Sequence, residues 1–204
     1  TLDIMAKEPE RLVDIKGISQ RGAMEIGTQF AEQHRQREAM LFMQKYGISM
    51  AMGLRIYKHY KEKTIKTLQT NPYSLAENIH GIGFRKADQI AAQLGIPPES
   101  PFRIRSAVQY VLQEFTSEGH VYMPKSMLED QVYRYTGASG ILVDNALTEL
   151  LMDQKIVEKE ENGTNRIYLM SFYMAELGTA RKLLELKENA KEMTDSERTD
   201  LLKT

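Results

Sequence analysis

Apolar residues recur at fixed distances from a glycine three times in the first half of the chain. From Gly81, Ile82 stands at +1, Ala87 at +6, Ile90 at +9 and Leu94 at +13. The same offsets from Gly17 give Ile18, Ala23, Ile26 and Phe30, and from Gly47 they give Ile48, Gly53, Ile56 and Tyr60. Residues three and four apart share a face of a helix, so each unit predicts a helix that starts just after a tight turn. The +1 isoleucine plugs the turn, and the small +6 residue lets two helices approach closely. Units one and three also agree upstream of the glycine. Thr1 pairs with Thr64, Pro9 with Pro72, Leu12 with Leu75 and Ile15 with Ile79, allowing one extra residue. Proline there starts a short helix, its leucine and isoleucine point inward, and the glycine turns the chain. Each unit is thus helix, turn, helix.

The pattern changes after Gly95-Ile96-Pro97. Ile104, Val108, Val111, Leu112 and Phe115 mark a helix that Gly119 ends. "HVYM" (120–123) reads as a short strand. Pro124 opens a helix with Met127, Leu128, Val132 and Tyr135 inward, and Gly137 closes it. Ser139 caps a third helix carrying Ile141, Leu142, Ala146, Leu147, Leu150 and Leu151. Ile156-Val157 and Ile167-Tyr168-Leu169 flank "ENGTN", a hairpin signal. Helix, strand, helix, helix and a two-stranded wing is the order of a winged helix. Residues 171–192 form one more amphipathic helix, and 193–204 read as a polar connector. The expected fold class is mainly α. Tandem hairpins fill 1–97, a small α+β winged-helix domain fills 98–170, and a connector helix and tail fill 171–204.

The turns carry the candidate chemistry. A helix that starts at Gly-Ile-Gly presents unpaired backbone N–H groups at its positive end, where an anion binds. Residues 79–90 resemble the helix-hairpin-helix motif, apolar-x-Gly-apolar-Gly-x-x-x-Ala-x-x-Ile, throughout. That resemblance implies N–H groups that hold DNA phosphates without reading sequence. The candidate DNA-binding residues are Gly81, Ile82, Gly83, Arg85 and Lys86 in unit three. In unit one they are Lys16, Gly17, Ser19 and Arg21, and in unit two Gly47 and Ser49. Ser19 and Ser49 stand where the motif has its second glycine. Serine caps a helix well but competes for the N–H groups a phosphate would use. Unit three therefore ranks first as a phosphate site, unit one next and unit two last. The other reading is that all three hairpins serve only as structure.

Charge supports a polyanion partner for one half of the chain only. The net charge is −1, yet residues 1–95 carry 14 basic and 10 acidic side chains, and 96–204 carry 13 and 18. The third winged-helix segment, 139–152, holds Asp144 and Glu149 and no Lys or Arg. Phosphate contact dominates DNA affinity, so this helix is expected to pack on protein rather than enter a groove. The chain has no cysteine, which removes disulfides and thiolate zinc sites. His34, His59, His80 and His120 are scattered, so no metal site is expected. No apolar run approaches the roughly 20 residues that span a bilayer. The chain starts at Thr, and we read it as a piece of a larger protein.

The whole also resembles the N-terminal region of the long, stand-alone RecD-like DNA helicases, the family also called exodeoxyribonuclease V alpha subunits. "MLFMQKYGIS" (40–49), "NPYSLAENIHGIGFRKADQIAAQLGI" (71–96), "EGHVYMP" (118–124) and "RIYLM" (166–170) carry the match. The resemblance implies a bacterial, cytoplasmic parent acting in DNA repair and recombination. Its helicase core would follow residue 204 and use ATP and Mg²⁺ to move 5′ to 3′ on single-stranded DNA. This chain has no G-x-x-x-x-G-K-[ST] loop to cradle a nucleotide, so no catalytic residue or cofactor is assigned within it. Its expected partner is DNA, single-stranded or forked, together with the rest of the helicase. The alternative is a docking module for a single-strand-binding or other repair protein. A repair glycosylase, which shares the hairpin, needs a catalytic Lys at position 85 and an Asp near 103. Both positions are Arg.

Overall fold

The computed structural model describes residues 8–189. The readings made on Thr1 and on 190–204 lie outside the described residues. A 3₁₀ turn at Pro9–Asp14 leads into α1 (Gln20–Lys45), α2 (Met50–Tyr60), α3 (Thr64–Thr70), α4 (Ser74–Asn78), α5 (Phe84–Gln93) and α6 (Pro101–Ser117). Then come β1 (Met123–Pro124), α7 (Lys125–Thr136), α8 (Gly140–Met152), β2 (Ile156–Glu161), β3 (Thr164–Leu169) and α9 (Met170–Asn189). The fold is mainly α, and among the described residues one antiparallel sheet of order β1-β3-β2 accompanies the helices. The chain divides into two compact units, Thr1–Tyr110 and Val111–Thr204, with the division inside α6.

In the first unit the three hairpins form where the glycine spacing places them. Helix α1 is shared, as the second helix of hairpin one and the first of hairpin two. Gly17, Gly47 and Gly81 have φ of +98°, +68° and +84°, a region glycine enters without a Cβ penalty. The turns differ in construction. Ile18 N–H donates to Ile15 O and Ile82 N–H to Ile79 O, each at 3.1 Å. At Gly47 the end of α1 closes by a double bond instead. Gly47 N–H donates to Gln44 O and Ile48 N–H to Met43 O, both at 3.0 Å, the Schellman pattern. The small +6 residue is a packing requirement. A Cβ on Gly53 would lie 2.9 Å from Met40 Cε, and Ala23 and Ala87 are wholly buried.

Hairpin one departs from the expected packing. Ile79 and Ile90 of hairpin three are 7% and 1% exposed, whereas the matching Ile15 and Ile26 are 51% and 36% exposed. An apolar stripe is buried only where a second element covers it. Hairpins two and three have that cover, and Ile48, Ile56, Ile82 and Ile90 are all buried. The face of hairpin one carries the same pattern but faces solvent among the described residues.

A polar tie joins the helices around hairpin three. Arg103 on α6 holds Asp88 on α5 through Nε (2.8 Å) and Nη2 (3.1 Å), and the Tyr73 hydroxyl donates to the same carboxylate at 2.7 Å. Burial alone would raise the Asp88 pKa, but the bonds from Arg103 and Tyr73 outweigh it and hold the group below its ordinary value. Burial, then the bond to Asp88, pushes the Tyr73 phenol up. A carboxylate with a depressed folded pKa adds stability above its unfolded pKa and loses it as pH falls through the folded value. Asp88→Asn should therefore cost about 2 kcal/mol at pH 7, about 4–8 °C in Tm. The difference from wild type should shrink as the pH drops below the ordinary value of 3.8. Thermal melts across that range measure it, and a gap that stays constant with pH would assign the loss to packing.

The second unit holds the end of α6, then β1, α7, α8 and the β2–β3 hairpin. Asn162 and Gly163, at φ 52° and 73°, form the two-residue turn that Asn-Gly predicts, with Glu161 opposite Thr164. Val132, Val143, Leu147, Leu150, Ile156 and Ile167 are buried. Two expectations need correction. The strand read at 120–123 shrinks to Met123–Pro124, paired with Ile167 and Arg166. Met127 and Tyr135 are largely exposed, because Leu128 and Val132, four apart, already define the inner face of α7. Helix α9 buries no residue along Met170–Asn189.

Candidate nucleic-acid interface

The three helix starts that follow the glycines are capped differently. Ser19 Oγ accepts from Gly22 N–H at 3.1 Å, and Ser49 Oγ accepts from Met52 N–H at 3.4 Å. Both serines therefore spend their oxygens inside the protein, as their N-cap positions foretell. Gly83 caps α5 with no side chain at all and sits exposed at φ −90° and ψ 176°. The first turn of α5 thus lacks the internal acceptor that α1 and α2 possess, at the positive end of the helix dipole. The φ of Gly83 is ordinary for any residue, so no backbone strain holds glycine there. A Cβ at Gly83 would meet nothing within 4 Å. The position stays open to whatever approaches the helix end.

The cations place themselves around this turn in two ways. Arg85 is exposed, and its guanidinium lies 5.9 Å from the centroid of the Tyr110 ring. Tyr110 stacks on Phe84, which stacks on Tyr73, at centroid separations of 5.4 and 6.1 Å. Arg85 thus packs at the end of an aromatic column. Lys86 is half-buried beside it. The third cation was not legible in the sequence. Arg55, on α2 of hairpin two, donates from Nη1 to His80 O at 2.9 Å. The same Nη1 lies 3.4 Å from where a Cβ on Gly81 would be. Helix α5 reaches back in the opposite sense, placing Gln93 Oε1 3.5 Å from the corresponding point at Gly47. Hairpins two and three thus put a side chain on each other's turn. The +8 position of Arg55 holds Glu25 in unit one and Gln89 in unit three, so no repeat pattern announces it.

The remaining sequence-derived candidates stay on hairpin one. Lys16, Gly17, Ser19 and Arg21 are exposed, and Arg21 pairs with Glu25 at 2.8 Å on the helix surface. Such an exposed pair contributes little to stability. Ile82 is buried, so it offers this interface its backbone and not its side chain. The residues a glycosylase would need are otherwise employed. Arg103, where that reading requires Asp, is the partner of Asp88. Among the described residues no group of His, Asp and Glu is arranged to hold a metal ion. No described helix is long and apolar enough to cross a membrane.

These features define a tandem helix-hairpin-helix domain in which one of three hairpins keeps an uncapped helix end ringed by cations. Residues 32–122 match the family described as the HHH domain of the ATP-dependent RecD2 DNA helicase. That segment contains the turns of hairpins two and three and excludes the turn of hairpin one. The chain is also 27% identical over 184 residues to the ATP-dependent RecD2 DNA helicase of Deinococcus radiodurans. The alignment covers 85% of this chain and 26% of that protein, so the chain spans about a quarter of the length of the curated relative it matches. Both matches agree with the sequence resemblance. The chain is similar to the N-terminal region of a RecD-like helicase, and 32–122 resemble the helix-hairpin-helix domain of that family.

Proposed function

We propose that this chain is a non-catalytic accessory region that binds DNA through phosphates, without regard to sequence, within an ATP-dependent 5′ to 3′ helicase of bacterial DNA repair and recombination. The observation that carries the reading is the match of 32–122 to a DNA helicase HHH domain, on a segment whose third hairpin leaves the α5 end open beside Arg55, Arg85 and Lys86. ATP and Mg²⁺ are assigned to the helicase core of the longer, cytoplasmic parent, and no residue here is given a part in holding them. The hairpin region, 1–97, takes the DNA. The winged-helix region, 98–170, packs on protein, and 171–204 connects to the core.

A second reading, protein docking by the acidic half, is favoured by the state of α8. Asp144 is tied to Lys125 of α7 at 2.7 Å, so this cation is already paired. Fluorescence anisotropy of the 204-residue chain on single-stranded, forked and duplex DNA over a salt series separates the readings. Phosphate binding gives a linear log–log slope of about −0.7 to −0.9 per contact, equal for unrelated sequences. Failure to bind any of these DNAs at low salt would leave docking as the function.

A further inference from the structure

The second unit carries a groove that neither the hairpins nor the helicase resemblance explains. It runs between the end of α6 and α7. Phe115, Met123, Met127 and Tyr135 supply its apolar lining, and Glu114 and Glu118 stand on its α6 side. Among the described residues no Lys or Arg lines it. Its volume of about 230 Å³ is small for a drug-sized ligand, which takes roughly 300–1,000 Å³. It suits one or two aliphatic side chains. Met127 is 44% exposed and Tyr135 36% exposed, on a helix whose neighbouring Leu128 and Val132 are fully buried. The Tyr135 hydroxyl donates to Glu114 at 3.4 Å, which holds one carboxylate at the rim. An apolar slot with acidic groups on one wall fits an amphipathic helix that brings leucines flanked by lysines.

That chemistry is present on an exposed helix of this chain. Along α9, Leu183 and Leu186 are 61% and 59% exposed. They lie three apart and share a face. Lys182 and Lys187 flank that face on its two sides, at the 100° steps of an α-helix. Lys182 pairs only loosely with Glu185, at 3.4 Å on an exposed surface. We propose that the groove receives the end of α9 from a second copy of this chain. Leu183 and Leu186 enter between Met127 and Phe115, and Lys182 and Lys187 meet Glu114 and Glu118. Each copy owns both halves of the contact, so a reciprocal exchange closes a two-fold dimer with two identical interfaces.

Sedimentation of the 204-residue chain over a concentration series tests this, together with anisotropy of a labelled peptide of residues 178–189. The expected results are a monomer–dimer equilibrium that weakens with added salt and saturable binding of the peptide. Glu114→Lys with Glu118→Lys should weaken both by about tenfold or more, because like charges then face each other. Glu118→Lys alone guards against an indirect effect through Tyr135. A peptide carrying Lys182→Glu and Lys187→Glu should fail on the wild-type chain and regain binding on the reversed chain. A chain that stays monomeric and ignores the peptide overturns the proposal. So does self-association that is indifferent to both charge reversals, since the contact would then lie elsewhere.

Discussion

Arg55→Ala combined with Arg85→Ala and Lys86→Ala should flatten the log–log salt dependence of DNA binding by about two to three units. Each phosphate contact contributes about 0.7–0.9 to that slope. The three cations converge on one turn, although they come from two hairpins. Arg55 is the most informative of them, since its residue number gives no hint of the site. Its guanidinium already binds His80 O, which fixes its position at the turn of hairpin three. Arg55→Lys keeps the charge and loses the fixed, forked geometry. It should therefore keep most of the slope and lose part of the affinity. The loss should be equal for unrelated sequences, because phosphates carry no base information. Thermal melts must first show that the variants fold. All three side chains lie at the surface or half-buried, so changes within a few degrees are expected. If the folded triple variant keeps the wild-type slope, the turn does not bind phosphate and the basic cluster is a solvated face.

Some of this interface could be read directly from the chain, and the reasons are local. A positive φ is a property of one residue, so Gly17, Gly47 and Gly81 announce their turns. An N-cap acts within three residues, so Ser19 and Ser49 announce their bonds to Gly22 and Met52. The Asn162-Gly163 hairpin is equally local. Arg55 and His80 are 25 residues apart, and only the packing of two hairpins joins them. Burial is non-local in the same way. Ile26 and Ile90 occupy the same register position, yet their exposures differ because a neighbour covers one and not the other. The helical period shows which residues could be covered and cannot show what covers them. Arg103 illustrates the same limit. In the sequence it marks only the absence of a catalytic Asp, while in the fold it holds Asp88 and clamps α5 to α6.

Gly83→Ser should make the protein more stable and its DNA binding weaker. Gly83 has the φ and ψ of an N-cap, −90° and 176°, close to −78° and 160° at Ser19 and −64° and 155° at Ser49. Serine can adopt that conformation without strain, and its Cβ would enter open space. Its hydroxyl would then accept from the first turn of α5, as the other two serines do in their helices. The gain is a cap worth a few tenths of a kcal/mol over glycine plus a smaller unfolded-state entropy, together about 0.5–1 kcal/mol. That corresponds to a rise in Tm of about 1–4 °C. The same hydroxyl occupies the donors a phosphate needs, and one lost bond to a charged group corresponds to about tenfold in affinity. Gly81 makes the useful contrast. Alanine there must hold φ near +84°, which costs about 1–2 kcal/mol, and its methyl presses on Arg55 at 3.4 Å. Gly81→Ala therefore loses stability and binding together and cannot separate contact from folding. Gly83→Ser moves them in opposite directions. Melting curves and a salt titration on the same protein sample decide the matter. A stabilised variant that binds DNA as tightly as wild type would mean that α5 offers its end to no phosphate.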